Sequence, residues 1–128
     1  RLEKLGRPEG SPGESGMTIS THVLDTAAGR PVAGVPVALH ARERDRWVAI
    51  GAGVTGPDGR LAGVVPDGTA LRAGVHRLRF DIAAYFARQG QAGFYPEVSV
   101  VFEVTDPADH YHVPLLLAPW GYTTYRGS

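Results

Sequence analysis

Apolar side chains recur at every second position through most of the chain, and this spacing constrains the fold more than any other feature. Ile19, Thr21 and Val23 alternate with Ser20, His22 and Leu24. Val35, Val37 and Leu39 follow the same rule, as do Val48, Ile50, Ala52 and Val54, then His76, Leu78 and Phe80, and Val98, Val100, Phe102 and Val104. Near the end, Tyr111, Val113, Leu115 and Leu117 alternate with His112, Pro114 and Leu116. Successive side chains of an extended strand point to opposite faces, so each run can bury one face against a partner sheet. Turn-forming stretches separate the runs: Ala27 to Pro31, T-G-P-D-G at 55–59 and D-P-A-D at 106–109. A short strand from Arg60 to Val65 can pair back, and a last strand runs from about Gly121 to the terminus. One helix is expected, with Asp81 as N-cap, Ile82, Tyr85, Phe86 and Gln89 at helical spacing, and Gly90 as the left-handed stop. With 17 Gly and 10 Pro among 128 residues, a helical bundle is disfavoured. The predicted architecture is all-β: a two-sheet sandwich of seven to eight strands with one short helix.

Residues 1–16 break the pattern. They read RLEKLGRPEGSPGESG, with three charges of each sign, four Gly, two Pro and only Leu2 and Leu5 as large apolar residues. This is linker composition, and the chain opens on Arg1 with Met17 available as an internal start. The folded domain is therefore expected over residues 17–128. Thirteen basic residues balance thirteen acidic ones, so the counterion-release term that drives phosphate binding is missing and nucleic acid is a poor partner. No apolar run approaches the roughly 20 residues of a membrane span and no signal-peptide pattern is present, so a soluble, cytoplasmic protein is expected. Without cysteine, neither a disulfide framework nor a thiolate zinc site can form.

Two histidines sit oddly for a sandwich. Alternation puts His22 and His112 on outward faces, yet their companions there, Leu24, Pro114 and Leu116, are apolar. A solvated face should be polar, so another subunit is expected to cover this one, with a polar site enclosed in the contact. The plain alternative is a pair of solvated imidazoles. A metal is the other: His110 and His112, two apart on one strand, could join His22 as zinc ligands, although no carboxylate pattern accompanies them. Arg60, next to the turn residue Gly59, is either a strand-end charge or a fixed cation offering forked donors to oxygens. His40 and His76 read as structural or exposed. No nucleophile elbow, phosphate-cradling loop or zinc-binding helix motif is present.

Four segments carry a resemblance: S-T-H-V-L-D-T at 20–26 with G-R-P-V-A-G-V-P-V following it, T-G-P-D-G-R at 55–60, H-Y-H-V-P-L-L-L at 110–117, and the terminal Y-R-G-S at 125–128. Over residues 17–128 the chain resembles the 5-hydroxyisourate hydrolases, the transthyretin-like enzymes of urate breakdown. The terminal tetrapeptide is what separates those hydrolases from the hormone-carrying transthyretins. The resemblance implies a β-sandwich that dimerises edge to edge and pairs face to face as a homotetramer, with sites at the dimer–dimer interface. It implies His22, Arg60 and His112 as catalytic residues, Tyr125 and Ser128 as substrate-binding residues, and no metal or cofactor. The implied reaction converts 5-hydroxyisourate to 2-oxo-4-hydroxy-4-carboxy-5-ureidoimidazoline. A-P-W-G-Y-T-T-Y departs from the usual S-P-F-G-Y-S-T-Y at Ala118, Trp120 and Thr123, none of them a catalytic position. R-L-E-K-L resembles the end of the decarboxylase that acts next in the pathway, which implies a fusion or association with that enzyme as one origin of the linker. The alternatives are a non-catalytic carrier of a small apolar ligand and a sandwich module of a larger chain.

Overall fold

The computed structural model describes residues 18–128, so the expected linker at 1–16 lies outside the described residues. Its elements in chain order are β1 (Ile19–Asp25), β2 (Arg30–Pro31), β3 (Pro36–Glu43), β4 (Arg46–Val54), β5 (Arg60–Leu61), β6 (Gly74–Asp81), α1 (Ala83–Arg88), β7 (Glu97–Val104), β8 (Tyr111–Ala118) and β9 (Gly121–Thr124). One sheet has the order β2-β1-β8-β9, with β5 also pairing β1, and the other has the order β4-β3-β6-β7. β1 and β8 run parallel, in register from Ile19 opposite Tyr111 to Asp25 opposite Leu117. All other pairings are antiparallel.

The period-2 pattern closes a core between the two sheets. Ile19, Val23, Leu115 and Leu117 from the first sheet meet Leu39, Leu78 and Phe80 from the second, none more than 1% exposed. Each such side chain contributes on the order of 1.5–3 kcal/mol by leaving water. Polar ties hold the connections. The buried Asp25 carboxylate accepts the Ala27 and Ala28 N–H groups and the Tyr85 hydroxyl, which anchors α1 to the end of β1. Burial, and then the bond to Asp25, raise the Tyr85 hydroxyl above its ordinary pKa. The Tyr111 hydroxyl accepts from Thr105 N and Asp106 N and donates to Asp106 O, closing the 106–109 turn against β8.

Four expectations are corrected. Val48, Ile50, Ala52 and Val54 do not share a face, because β4 carries a bulge: Gly51 pairs Leu39 while Ala49 pairs His40, leaving Ile50 as the extra residue. Ile50 packs against the core, whereas Val54 is 56% exposed. The strand expected at 60–65 lasts only two residues, after which the chain leaves β1 and buries Val64 and Val65. Asp81 does not cap the helix. It is still paired with Glu97 in the sheet, so Ile82 takes the cap position without a side-chain bond, and the Pro96 carbonyl accepts the Ile82 and Ala83 N–H groups. The stop at Gly90 is as expected, with φ 67°. Finally, Pro114 is already buried within one chain, so the apolar strip left on the outer face of the first sheet reduces to the partly buried Leu24 and Leu116.

Candidate active site on the outer face of the first sheet

Register alone gathers the candidate residues. On the face of the first sheet turned away from the core, Ser20 lies opposite His112, His22 opposite Pro114 and Leu24 opposite Leu116 across the β1–β8 pair. On the other side of β1, His22 lies opposite Arg60 of β5. Residues from three distant segments thereby share one patch.

The T-G-P-D-G-R turn is built to hold Arg60 there. Gly56 N and Gly59 N bond to Arg60 O and Gly56 O, and the Asp58 carboxylate accepts Arg60 N at 3.0 Å. Gly59 is required twice over. Its φ is +80°, and a Cβ would stand 2.4 Å from Val23 O, the strand that its own carbonyl binds through Val23 N. The buried Thr55 hydroxyl ties the start of the turn to Val32 O and Val35 N. The guanidinium of Arg60 stays largely exposed, with Nε 3.9 Å from the Asp58 carboxylate, and so remains free to meet a ligand.

The same turn fixes His22. Its Nε2 lies 2.9 Å from the Asp58 carbonyl oxygen, and a carbonyl can only accept, so Nε2 carries a proton. His112 is held differently. Its Nδ1 lies 2.8 Å from Ser20 Oγ, while His110 Nε2 approaches the same oxygen at 3.1 Å, and the two imidazoles lie nearly parallel at 6.4 Å. Burial first, then the charges of His110, Arg60 and His22, lower the His112 pKa below the ordinary imidazole value, so the neutral ring is favoured.

The terminal tetrapeptide reaches this patch through its glycine. Gly127 pairs with His112, its N–H donating to His112 O at 2.7 Å, and a Cβ added at this position would collide with the imidazole. Ser128 is exposed one residue further on. Within one chain Tyr125 is 57% exposed and lines a cleft of about 220 Å³ at the sandwich edge, with Val100, Phe102, Tyr111 and Val113. The structure thus brings together His22, Arg60 and His112, joins the chain end to them through Gly127, one residue before Ser128, and places Tyr125 at the margin of the patch within one chain.

Three contributors escaped the sequence reading: Ser20 as the bridge between two imidazoles, Asp58 as holder of both His22 and Arg60, and Gly127 as the backbone partner of His112. Ser20 had a signal, since alternation places it on the face of His22. Its link to His112 spans 92 residues and depends on the parallel β1–β8 pairing. The zinc alternative finds no geometry, because among the described residues no group of three or more His, Cys, Asp or Glu side chains is gathered to hold a metal. His76 is buried and bonded through Nδ1 to Gly74 O, and His40 lies on the outer face of the other sheet, its pKa lowered by burial and by Arg77 and Arg79.

A family model described as the HIUase/Transthyretin family matches residues 19–127. The chain is 43% identical over 112 residues to the 5-hydroxyisourate hydrolase of Mus musculus, covering 86% of this chain and 94% of that protein. Among solved structures it is similar to Klebsiella pneumoniae 5-hydroxyisourate hydrolase, with TM-score 0.74, 38% identity and coverage of 87% of this chain and 98% of that one. Transthyretin from Sparus aurata gives TM-score 0.80 at 31% identity, with coverage of 87% and 97%. The sandwich is common to hydrolase and carrier, so the side chains on the sheet face must distinguish the two.

Proposed function

The chain belongs to the HIUase/Transthyretin family, and from that membership and its hydrolase relatives we infer that it hydrolyses 5-hydroxyisourate in urate breakdown. Opening the ring by water requires a base to take a proton from the water, a donor for the negative charge that develops on the attacked carbonyl oxygen, and an acid for the departing nitrogen. His112 serves as the base: its lowered pKa keeps it neutral, and Nδ1 is occupied by Ser20, so Nε2 is the reacting nitrogen. Arg60 supplies the donor, because a forked guanidinium that remains exposed can bind the carbonyl oxygen as it gains charge. His22 serves as the acid. With Nε2–H on the Asp58 carbonyl, protonation adds the second proton at Nδ1, the nitrogen free to deliver it. Ser128 and Tyr125 complete the substrate's contacts with its oxygens and ring. Water and these side chains suffice, without a cofactor.

In this reading the working form is a homotetramer. The edge strands β7 and β9 expose Val101 and Tyr122, with Phe94 and Trp120 beside them, which suits pairing edge to edge. Leu24 and Leu116 then flank a channel between facing dimers.

The observation that carries the proposal is the convergence of His22, Arg60 and His112 from β1, β5 and β8 on one face. A carrier of apolar ligands, the reading favoured by likeness to transthyretin, has no use for two imidazoles and a guanidinium there. The test is the ultraviolet decay of 5-hydroxyisourate freshly made by urate oxidase. Catalytic amounts of this protein should accelerate the decay with multiple turnovers; a decay rate equal to that of buffer would favour the carrier.

A further inference from the structure

The Ser20 hydroxyl is nearly buried and bonded to two imidazoles, His112 Nδ1 at 2.8 Å and His110 Nε2 at 3.1 Å. A serine hydroxyl has one proton. It can donate to only one of these rings and must accept from the other, so the three groups are ordered in one of two directions. If Ser20 donated to His112, that ring would carry its own proton on Nε2 and could not take one from water. If Ser20 donates to His110 Nε2, it accepts from His112 Nδ1–H, and His112 presents an Nε2 lone pair to the site.

We propose that Ser20 and His110 are positioning residues that form a proton wire behind His112, setting its tautomer and carrying charge out of the site. This rests on the reading of His112 as the base. As water attacks, one of its protons goes to His112 Nε2, and the hydroxide oxygen bonds to the ring carbonyl carbon. The His112 Nδ1 proton passes to Ser20 Oγ while the Ser20 proton passes to His110 Nε2. His112 is again neutral, now protonated at Nε2, and the positive charge rests on His110. When the C–N bond breaks, His22 gives its proton to the nitrogen; the His110 proton then returns along the wire to His112 Nδ1 while His112 Nε2 releases its proton through solvent to His22 Nδ1, which restores the starting state. Every proton is accounted for, and no other reactant is needed.

The physical gain is in where the charge sits. An imidazolium at His112 would stand beside the Arg60 guanidinium and His22 in a partly buried site. His110 is exposed, one end of the turn 106–109 away from the sheet centre, with the Arg126 guanidinium approaching its backbone carbonyl at 3.3 Å. Transfer over two hydrogen bonds therefore moves a cation from a crowded, partly buried place to an exposed one.

The test compares Ser20→Ala, Ser20→Thr, His110→Gln and His112→Asn in the intact tetramer. Ser20→Ala should lower kcat by about tenfold to a hundredfold, the usual loss when a group orienting a reacting imidazole is removed, with KM nearly unchanged. Ser20→Thr, which keeps the hydroxyl, should recover most of that loss. In nitrogen-15 spectra of labelled histidine, His112 should hold its proton on Nδ1 in the wild type and shift towards Nε2–H in Ser20→Ala. His110→Gln keeps an acceptor for Ser20 but cannot hold the charge, so kcat should fall while the His112 tautomer persists. The wire is overturned if Ser20→Ala stays within about twofold of wild type, or if Ser20→Thr is as impaired as Ser20→Ala with the His112 tautomer unchanged. His112→Asn separates the two levels: if it remains active, the base assignment fails; if it is inactive while Ser20→Ala is unimpaired, the wire alone fails.

Discussion

Substituting Gly127 by alanine should disable the enzyme without disturbing its fold. An added Cβ would stand 2.6 Å from His112 Cδ2, 3.3 Å from Cγ and 3.5 Å from Cβ. Carbon atoms rest at about 3.5–4.0 Å, so the ring or the chain end must give way by roughly 1 Å. If the ring moves, His112 Nδ1 leaves Ser20 and Nε2 loses its aim. If the chain end moves, the Gly127 N–H···O bond to His112 is broken and Ser128 shifts with it. A misplacement of about 1 Å in a reacting group costs on the order of a hundredfold in rate, or about 2.7 kcal/mol in the barrier. The fold has little at stake, because Gly127 lies beyond β9 and outside the core, and alanine restricts the unfolded chain by about 0.4–1 kcal/mol in favour of the native state. The assay is initial-rate decay of fresh 5-hydroxyisourate beside a thermal melt of the same sample. A rate above about a third of wild type would show that the glycine contact does not position His112. A rate loss matched by a fall in Tm would show that the contact is structural instead.

Three further outcomes follow from the site. With His112 as the proposed base, the acid limb of kcat/KM should lie below the ordinary imidazole pKa, since the neutral ring is lost as pH drops through its lowered value; Arg60→Gln, which removes one cause of the lowering, should move that limb upward even as the rate declines. Extensive chelation should leave the rate unchanged, and a loss restored by zinc would return the His22, His110 and His112 metal reading. Sedimentation at micromolar concentration should give a tetramer, and a stable monomer with full activity would contradict a site enclosed between subunits.

Strict alternation made β1 and β8 legible, and with them the outward placement of His22 and His112, because a strand with one buried face fixes the side of every residue. Arg60 was legible as a residue next to a turn, but its placement beside His22 depends on two residues of β5 pairing β1. Local pattern failed where distant pairing decides. The A-I-G-A-G-V run in β4 carries no polar residue to mark a change of face, so nothing in it announces that Ile50 is a bulge created by the register with β3. Asp81 has the chemistry of a helix cap, yet Glu97 across the sheet holds it in the strand. Alternation put Ser20 on the face of His22, but its role as a bridge depends on the parallel neighbour that sets His112 against it.

The central claim is that His22, Arg60 and His112 perform the hydrolysis, and the most direct measurement is the turnover of fresh 5-hydroxyisourate by His22→Asn, Arg60→Ala, Arg60→Glu and His112→Asn beside wild type. All four substitutions fall on the outer face of the first sheet, so each variant should keep its core, its melt and its oligomeric state. Loss of a general acid or base typically costs about a hundredfold to ten-thousandfold, and loss of an oxyanion donor about a hundredfold to a thousandfold. Arg60→Glu should be the worse of the two arginine variants, since it puts a negative charge where the carbonyl oxygen gains one. If the His22, Arg60→Ala and His112 variants all retain more than about a tenth of the wild-type rate, the site lies elsewhere and the catalytic assignment is contradicted.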